Sequence, residues 1–198
     1  MTKALIGIVV VLAVIAVALF AWGVGVNNRI VRLDQDVNEK WAQVQNVYQR
    51  RADLIPNLVE TVKGFAAQER EVLTEVTNAR ARASSVQLSP EALSDPAALR
   101  QFQDAQTQLG GALSRLLVTV ERYPELKSNA NFLALQSELA GTENRIAVER
   151  RRFNESVREY NTGVRLFPGS LVAAFRGFRE KAFFEATPDA ATPPKVKF

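Results

Sequence analysis

Residues Ala4 to Val26 read ALIGIVVVLAVIAVALFAWGVGV, with no charged or strongly polar side chain. In an α-helix this run covers roughly 34 Å, enough to cross a hydrocarbon core about 30 Å thick with slight tilt. Trp22 lies one turn from its downstream end, where an amphipathic ring suits a membrane interface. A secretory signal is the rival reading, with Lys3 ahead of the run and Ala16-Val17-Ala18 as a small-residue cleavage site. The run is longer than an ordinary signal core and continues past that site through Phe20, so an uncleaved anchor over residues 1–27 is favoured. Arg29, Arg32 and Lys40 follow the run against Lys3 before it, a slight excess that places the body on the cytoplasmic side.

Beyond the anchor, apolar residues recur in steps of three and four: Ile30, Leu33, Val37, Trp41, Val44, Val47, Leu54, Leu58, Val62, Phe65, Val72, Val76, Ala79. That spacing builds one helical stripe, and no comparable run alternates with period two. Pro56 interrupts it chemically by removing a backbone donor and freeing the Ala52 carbonyl. The stripe keeps its phase across the proline, which favours a kinked continuous helix over a turn. Two capped prolines, Ser89-Pro90 and Asp95-Pro96, precede a second helix carrying Leu99, Phe102, Leu109, Leu113, Leu116 and Val120. Gly110-Gly111 inside it implies close helix contact or a soft spot. Tyr123-Pro124 ends this helix, and Ser128 or Asn129 caps a third with Phe132, Leu135, Leu139, Ile146, Phe153, Val157, Tyr160 and Val164 on one face. Leu166-Phe167-Pro168-Gly169 is a turn signal, after which Ser170 opens a short helix bearing Leu171, Phe175, Phe178 and Ala182. The expected organisation is all-α: an anchor (1–27), an antiparallel up-and-down bundle with a long first helix (28–184), and an extended proline-rich tail (185–198).

Helix lengths carry a functional expectation. One rod over residues 28–86 is about 88 Å long, against about 37 Å for 97–121 and 57 Å for 128–165. Such a rod overhangs its partners near the membrane. The stripe Ile30, Leu33, Val37, Trp41, Val44, Val47 then needs cover from a second copy, the tail or another protein, because large apolar patches are rarely left free. A turn at Pro56 would instead give a closed bundle.

The chain contains neither cysteine nor histidine. This excludes disulfides, thiol nucleophiles, Cys/His zinc sites, and Ser-His or Cys-His catalytic pairs. Carboxylate di-metal bundles built on Glu-x-x-His pairs are excluded too. A net charge of +4, from 25 basic and 21 acidic residues, is too even to make nucleic acid the main partner. No glycine-rich phosphate loop or nucleophile elbow is present, so no cofactor, metal or small-molecule substrate is expected.

Three polar groupings remain. Glu143, Arg145, Glu149 to Arg152, Asn154 and Glu155 offer an anionic-lipid or acidic-partner site, although consecutive arginines fan around a helix and pair locally with glutamates. Asp53, Asn57 and Glu60 flank Pro56, where the freed carbonyl can take a water, a cation or a side chain, and interhelical hydrogen bonding is the plainer reading. Phe175, Arg176, Phe178 and Arg179, with Lys181, Phe183 and Phe184, make a basic, phenylalanine-rich segment that either lies on a membrane or partner, or packs on the bundle.

The strings RADLIPNL, TENRIAVERRRFNE and YNTGVRLFPGS, with the PPKVKF ending, closely resemble the LemA family of bacterial membrane proteins, over essentially the whole chain. The resemblance implies a single span in the bacterial inner membrane, an antiparallel helical bundle, an amino terminus outside, and no known enzymatic activity. The expectation is thus a non-enzymatic, membrane-anchored scaffold that forms homo-oligomers or recruits another membrane-associated protein. The alternative is an accessory or pore-forming subunit of a transport complex, in which Gly7, Gly23 and Gly25 let spans approach. No ionisable residue marks a pathway through the span, which weighs against that alternative.

Overall fold

A computed structural model describes residues 2–185. Six α-helices account for it, with no strand among the described residues: α1 (Thr2–Phe65), α2 (Arg70–Ser85), α3 (Pro96–Val120), the single turn α4 (Pro124–Lys127), α5 (Ala130–Arg165) and α6 (Gly169–Arg176). A 3-10 turn at Pro90–Ser94 joins α2 to α3. The Asp95 side chain caps α3 by accepting from Ala97 N at 2.9 Å, and Asn129 caps α5 by accepting from Asn131 N and Phe132 N. Both caps sit where the sequence places them. The proline-rich tail from residue 186 onward lies outside the described residues.

Pro56 stays inside α1, as the continuity of the stripe requires. The Ala52 carbonyl that it frees accepts a 2.7 Å hydrogen bond from Arg80 Nε of α2. The flanking polar residues do not converge: Gln49 donates to Asp53, Glu60 pairs with Lys63, and Asn57 is exposed. The rod therefore ends at Phe65 and not at residue 86. Gly64 weakens the last turn of α1, no proline follows over Ala66 to Glu69, and tertiary contacts hold the break. Tyr123 donates to Glu69 at 2.6 Å, Gln68 donates to the Tyr123 hydroxyl, and Arg122 pairs with Glu69 at 3.1 Å. Beyond the break Ala66 is buried and Phe65 is 41% exposed, which reverses the assignment made from the stripe.

Shortening the rod removes the overhang. From Asn27 to Phe65, α1 is about 58 Å long, and α5 is about 54 Å and runs antiparallel to it. The run of contacts fixes that register: Glu143 with Arg51, Phe153 with Trp41, Gly163 with Leu33. The Ile30-to-Val47 stripe is therefore covered inside the chain. Ile30, Val37, Trp41 and Val44 are at most 2% exposed, and Leu33 and Val47 pack partly buried against the same cluster. This stripe is not an open self-association surface.

A buried polar layer separates two apolar cores. The far core joins Ile55, Leu58 and Val62 to α2, α3, α4 and the start of α5. The core nearer the apolar N-terminal run centres on Trp41, whose ring lies 5.3 Å from Phe102, 5.5 Å from Phe153 and 6.0 Å from Phe184. Between them Arg51, 3% exposed, donates to Glu143 and to both the side chain and the carbonyl of Gln106. Its Nε finds no partner among the described residues. Nearby, burial holds the Tyr48 phenol above its ordinary pKa, with the Arg150 and Arg51 charges opposing. Burial, reinforced by the Asp34 carboxylate, pushes Tyr160 up to about 12.

Helix α6 stops at Arg176 because Gly177 turns left-handed, with φ at 77°, a conformation that favours glycine. Phe178 to Glu185 then run extended and are not helical. Side-chain amides clamp this strap through its backbone. Asn161 pairs both N–H and C=O of Lys181, and Asn154 does the same for Phe184. The spacing explains the fit: seven residues of helix and three of extended chain both advance about 10 Å. Phe184 thereby closes the Trp41 core, and Lys181, 7% exposed, reaches Asp34 at 2.7 Å. Gly110 and Gly111 meet no neighbouring helix, and α3 runs straight through them.

Arg51→Met is expected to cost about 1–3 kcal/mol, because it leaves the buried Gln106 oxygen without its donor. Arg51→Met combined with Gln106→Leu should recover most of that loss. Denaturant unfolding in mild detergent measures both. Asn154→Leu should release the strap, seen as faster protease cleavage after Gly177 at unchanged helix content.

Candidate membrane-contact site

The corner between α5 and α6 is where apolar side chains fail to turn inward. Leu166 caps α5 through its N–H to the Thr162 carbonyl, and Ser170 N returns to the Leu166 carbonyl, both at 3.0 Å. Pro168 blocks continuation, so the chain reverses and lays α6 beside α1. Two glycines make the approach close. A Cβ on Gly163 would sit 2.9 Å from Leu33 Cδ1. One on Gly169 would collide with the Gly163 carbonyl oxygen and lie 3.7 Å from Ile30 Cδ1.

The corner so placed exposes Leu166 at 62%, Phe167 at 72%, Leu171 at 62% and Phe175 at 90%. Among the described residues, four of the nine large apolar side chains exposed beyond residue 27 fall in this ten-residue stretch, so they form a patch and not scatter. The Phe167 ring sits 6.2 Å from the Trp22 ring of α1. A groove of about 440 Å³ runs behind it, lined by Val26, Arg29, Leu33, Arg158 and Thr162 among others.

Of the segment expected to contact membrane or partner, the structure keeps Phe175 and Arg176 together on α6, both exposed. Phe178 and Arg179 fall beyond the Gly177 turn, and Phe178 packs partly buried on the Trp41 core. Lys181 and Phe184 belong to the interior. Leu166 and Phe167 escaped the sequence reading, which treated them as turn residues.

Two arginines of the arginine-rich stretch of α5 are bonded locally. Arg152 pairs with Glu149 at 2.9 Å, and Arg150 donates to the Glu185 carbonyl and stacks 4.7 Å over the Phe184 ring. Glu143 is committed to Arg51. Among the described residues, no group of three or more carboxylates is gathered to hold a metal ion.

The fold defines a helical bundle carried on one helix long and apolar enough to cross a membrane. The chain belongs to the LemA family, whose pattern it matches over residues 40–198. It is similar to magnetosome protein MamQ of Magnetospirillum gryphiswaldense, at 28% identity over 182 residues, covering 84% of this chain and 67% of that protein. MamQ 2 of Paramagnetospirillum magneticum is 26% identical with the same coverage. Protein LemA of Metamycoplasma hominis is 23% identical over 164 residues, covering 83% of this chain and 71% of its own.

Gly169→Ala is expected to push α6 off the end of α5, where the added methyl meets the Gly163 carbonyl, and to destabilise the protein by about 1–3 kcal/mol, the range for forced overpacking. Thermal unfolding in detergent measures the loss.

Proposed function

We propose that the protein is a non-enzymatic scaffold anchored by one span, which holds its helical bundle at a fixed height above the bilayer and presents it to a partner or to further copies. One observation carries this reading: α1 passes from its charge-free half into the body as a single helix, from Thr2 to Phe65. A body joined by such a helix cannot swing as it would on a flexible linker. Whatever docks on it is held at a defined distance from the membrane. The absence of cysteine and histidine from the chain supports a binding role over catalysis.

With the Ile30-to-Val47 stripe inside the fold, association must use other surfaces. The bacterial inner membrane and a cytoplasmic body are part of the same proposal, the orientation resting on Arg29, Arg32 and Lys40.

A photo-crosslinking residue placed in turn at exposed body positions, such as Glu71, Ser114 and Arg151, tests the scaffold in native membranes. A discrete adduct that depends on the anchor is the expected outcome. A full-length protein that yields no adduct at any position, and that behaves as a monomer in nanodiscs by mass photometry, overturns the scaffold reading.

A further inference from the structure

The structure places a second apolar element at the depth of the first. Trp22 stands four residues before Val26, the end of the charge-free run, which is about 6 Å along the helix axis. Helical side chains lean toward the N-terminus, so the indole ring lies no shallower than its backbone. Phe167 contacts that ring. The α5–α6 corner is therefore level with a part of α1 that belongs within the membrane. Among the described residues nothing covers Leu166, Phe167, Leu171 or Phe175, and the other exposed large apolar side chains beyond residue 27 are scattered singly.

We infer that this corner is an interfacial membrane foot: Leu166, Phe167, Leu171 and Phe175 enter the boundary between headgroups and acyl chains of a bilayer rich in anionic lipid, beside the span. This rests on the reading of α1 as a span. Continuity with α1 selects lipid as the occupant, because a soluble partner would have to reach the level of Trp22 through the headgroups.

The charges around the corner select anionic lipid. Arg29, Arg32, Arg158, Arg165, Arg176 and Arg179 are all exposed around it. Between Arg158 and Phe184 the acidic residues are Glu159 and Glu180, and Glu180 is paired with Arg165 at 3.3 Å. Asp34 on α1 is taken by Lys181. The balance facing the headgroups is positive, and an apolar face rimmed by arginine is the pattern of an element lying in an anionic interface. The groove behind Phe167, between Arg29 and Arg158, leaves room for a headgroup.

The natural chain lacks cysteine, so single-cysteine variants can be labelled cleanly. The full-length protein is placed in nanodiscs with Leu171→Cys or Phe175→Cys carrying a nitroxide, Ala18→Cys marking the span and Ser114→Cys marking water. Oxygen collides preferentially with labels in lipid, and a water-soluble nickel chelate with labels in water. In discs of mixed phosphatidylcholine and phosphatidylglycerol, labels at 171 and 175 should show an oxygen-to-nickel collision ratio severalfold above that at 114 and closer to that at 18. In discs of phosphatidylcholine alone the ratio at 171 and 175 should fall. Labels at 171 and 175 that match 114, while 18 reads as lipid, overturn the foot and leave the span standing. A label at 18 that reads as water removes the span and the foot together. Ratios at 171 and 175 that stay high and equal in both lipids overturn the anionic preference. As a check on fold, the exposed pair Leu171→Asp with Phe175→Asp should lift a label at Phe167→Cys out of lipid without changing thermal stability.

Discussion

A helix with one apolar face needs a partner of its own length, and in this chain the partner is α5. Between Asn27 and Phe65 the first helix presents a continuous buried face, and α5 shadows it for nearly all of that distance. The remaining elements fill what a two-helix pair leaves open. Helices α2 and α3 complete the half of the bundle far from the apolar N-terminal run. In the near half only the first turns of α3 reach in, with Leu99 and Phe102. The rest is filled by short elements and irregular chain: Leu88 and Leu93 from the α2–α3 connection, Ala173 from α6 and Phe184 from the strap. Irregular chain brings unpaired backbone groups inside, and these must be bonded. The Trp41 indole and Gln45 amide donate to the Leu88 carbonyl, Ala182 N donates to the Leu93 carbonyl, and the asparagines of α5 serve the strap. The asparagines in the motif-rich stretch of α5 are thus explained by backbone capture and not by ligand chemistry.

Much of this was legible in the residues. The periodic apolar positions, the caps at Asp95 and Asn129, and the persistence of α1 through Pro56 follow from local chemistry that one sequence displays. The reversal after Phe65 was not legible, because its cause is a contact with Tyr123 more than fifty residues away. That miss spread, since the length of the rod decided whether the stalk was thought to be bare. The strap was misread for a related reason: phenylalanines at helical spacing after Ser170 suggested one longer helix, whereas Gly177 ends it and sends Phe184 inward.

The corner offered a signal that periodicity alone hides. A turn is normally polar, yet Leu166-Phe167-Pro168-Gly169-Ser170-Leu171 combines turn formers with large apolar residues. Such a combination either packs under the turn or meets something apolar outside. The phase of α5 already uses Tyr160 and Val164 for the core, so Leu166 and Phe167 have no inward position left. Burying both sets would need another layer of protein at that end.

The uninterrupted α1 also has a mechanical meaning. About 65 Å of one helix separates Trp22 from Phe65, so rotating the membrane half by about 10° carries the far end sideways by about 11 Å. Spans change tilt when the local bilayer thickens or thins. A rigid rod turns that small angular change into a displacement of about one helix diameter, at the end where α2, α3 and α4 meet. With α1 as a span, the molecule is geometrically a pointer whose tip position follows the thickness of the membrane.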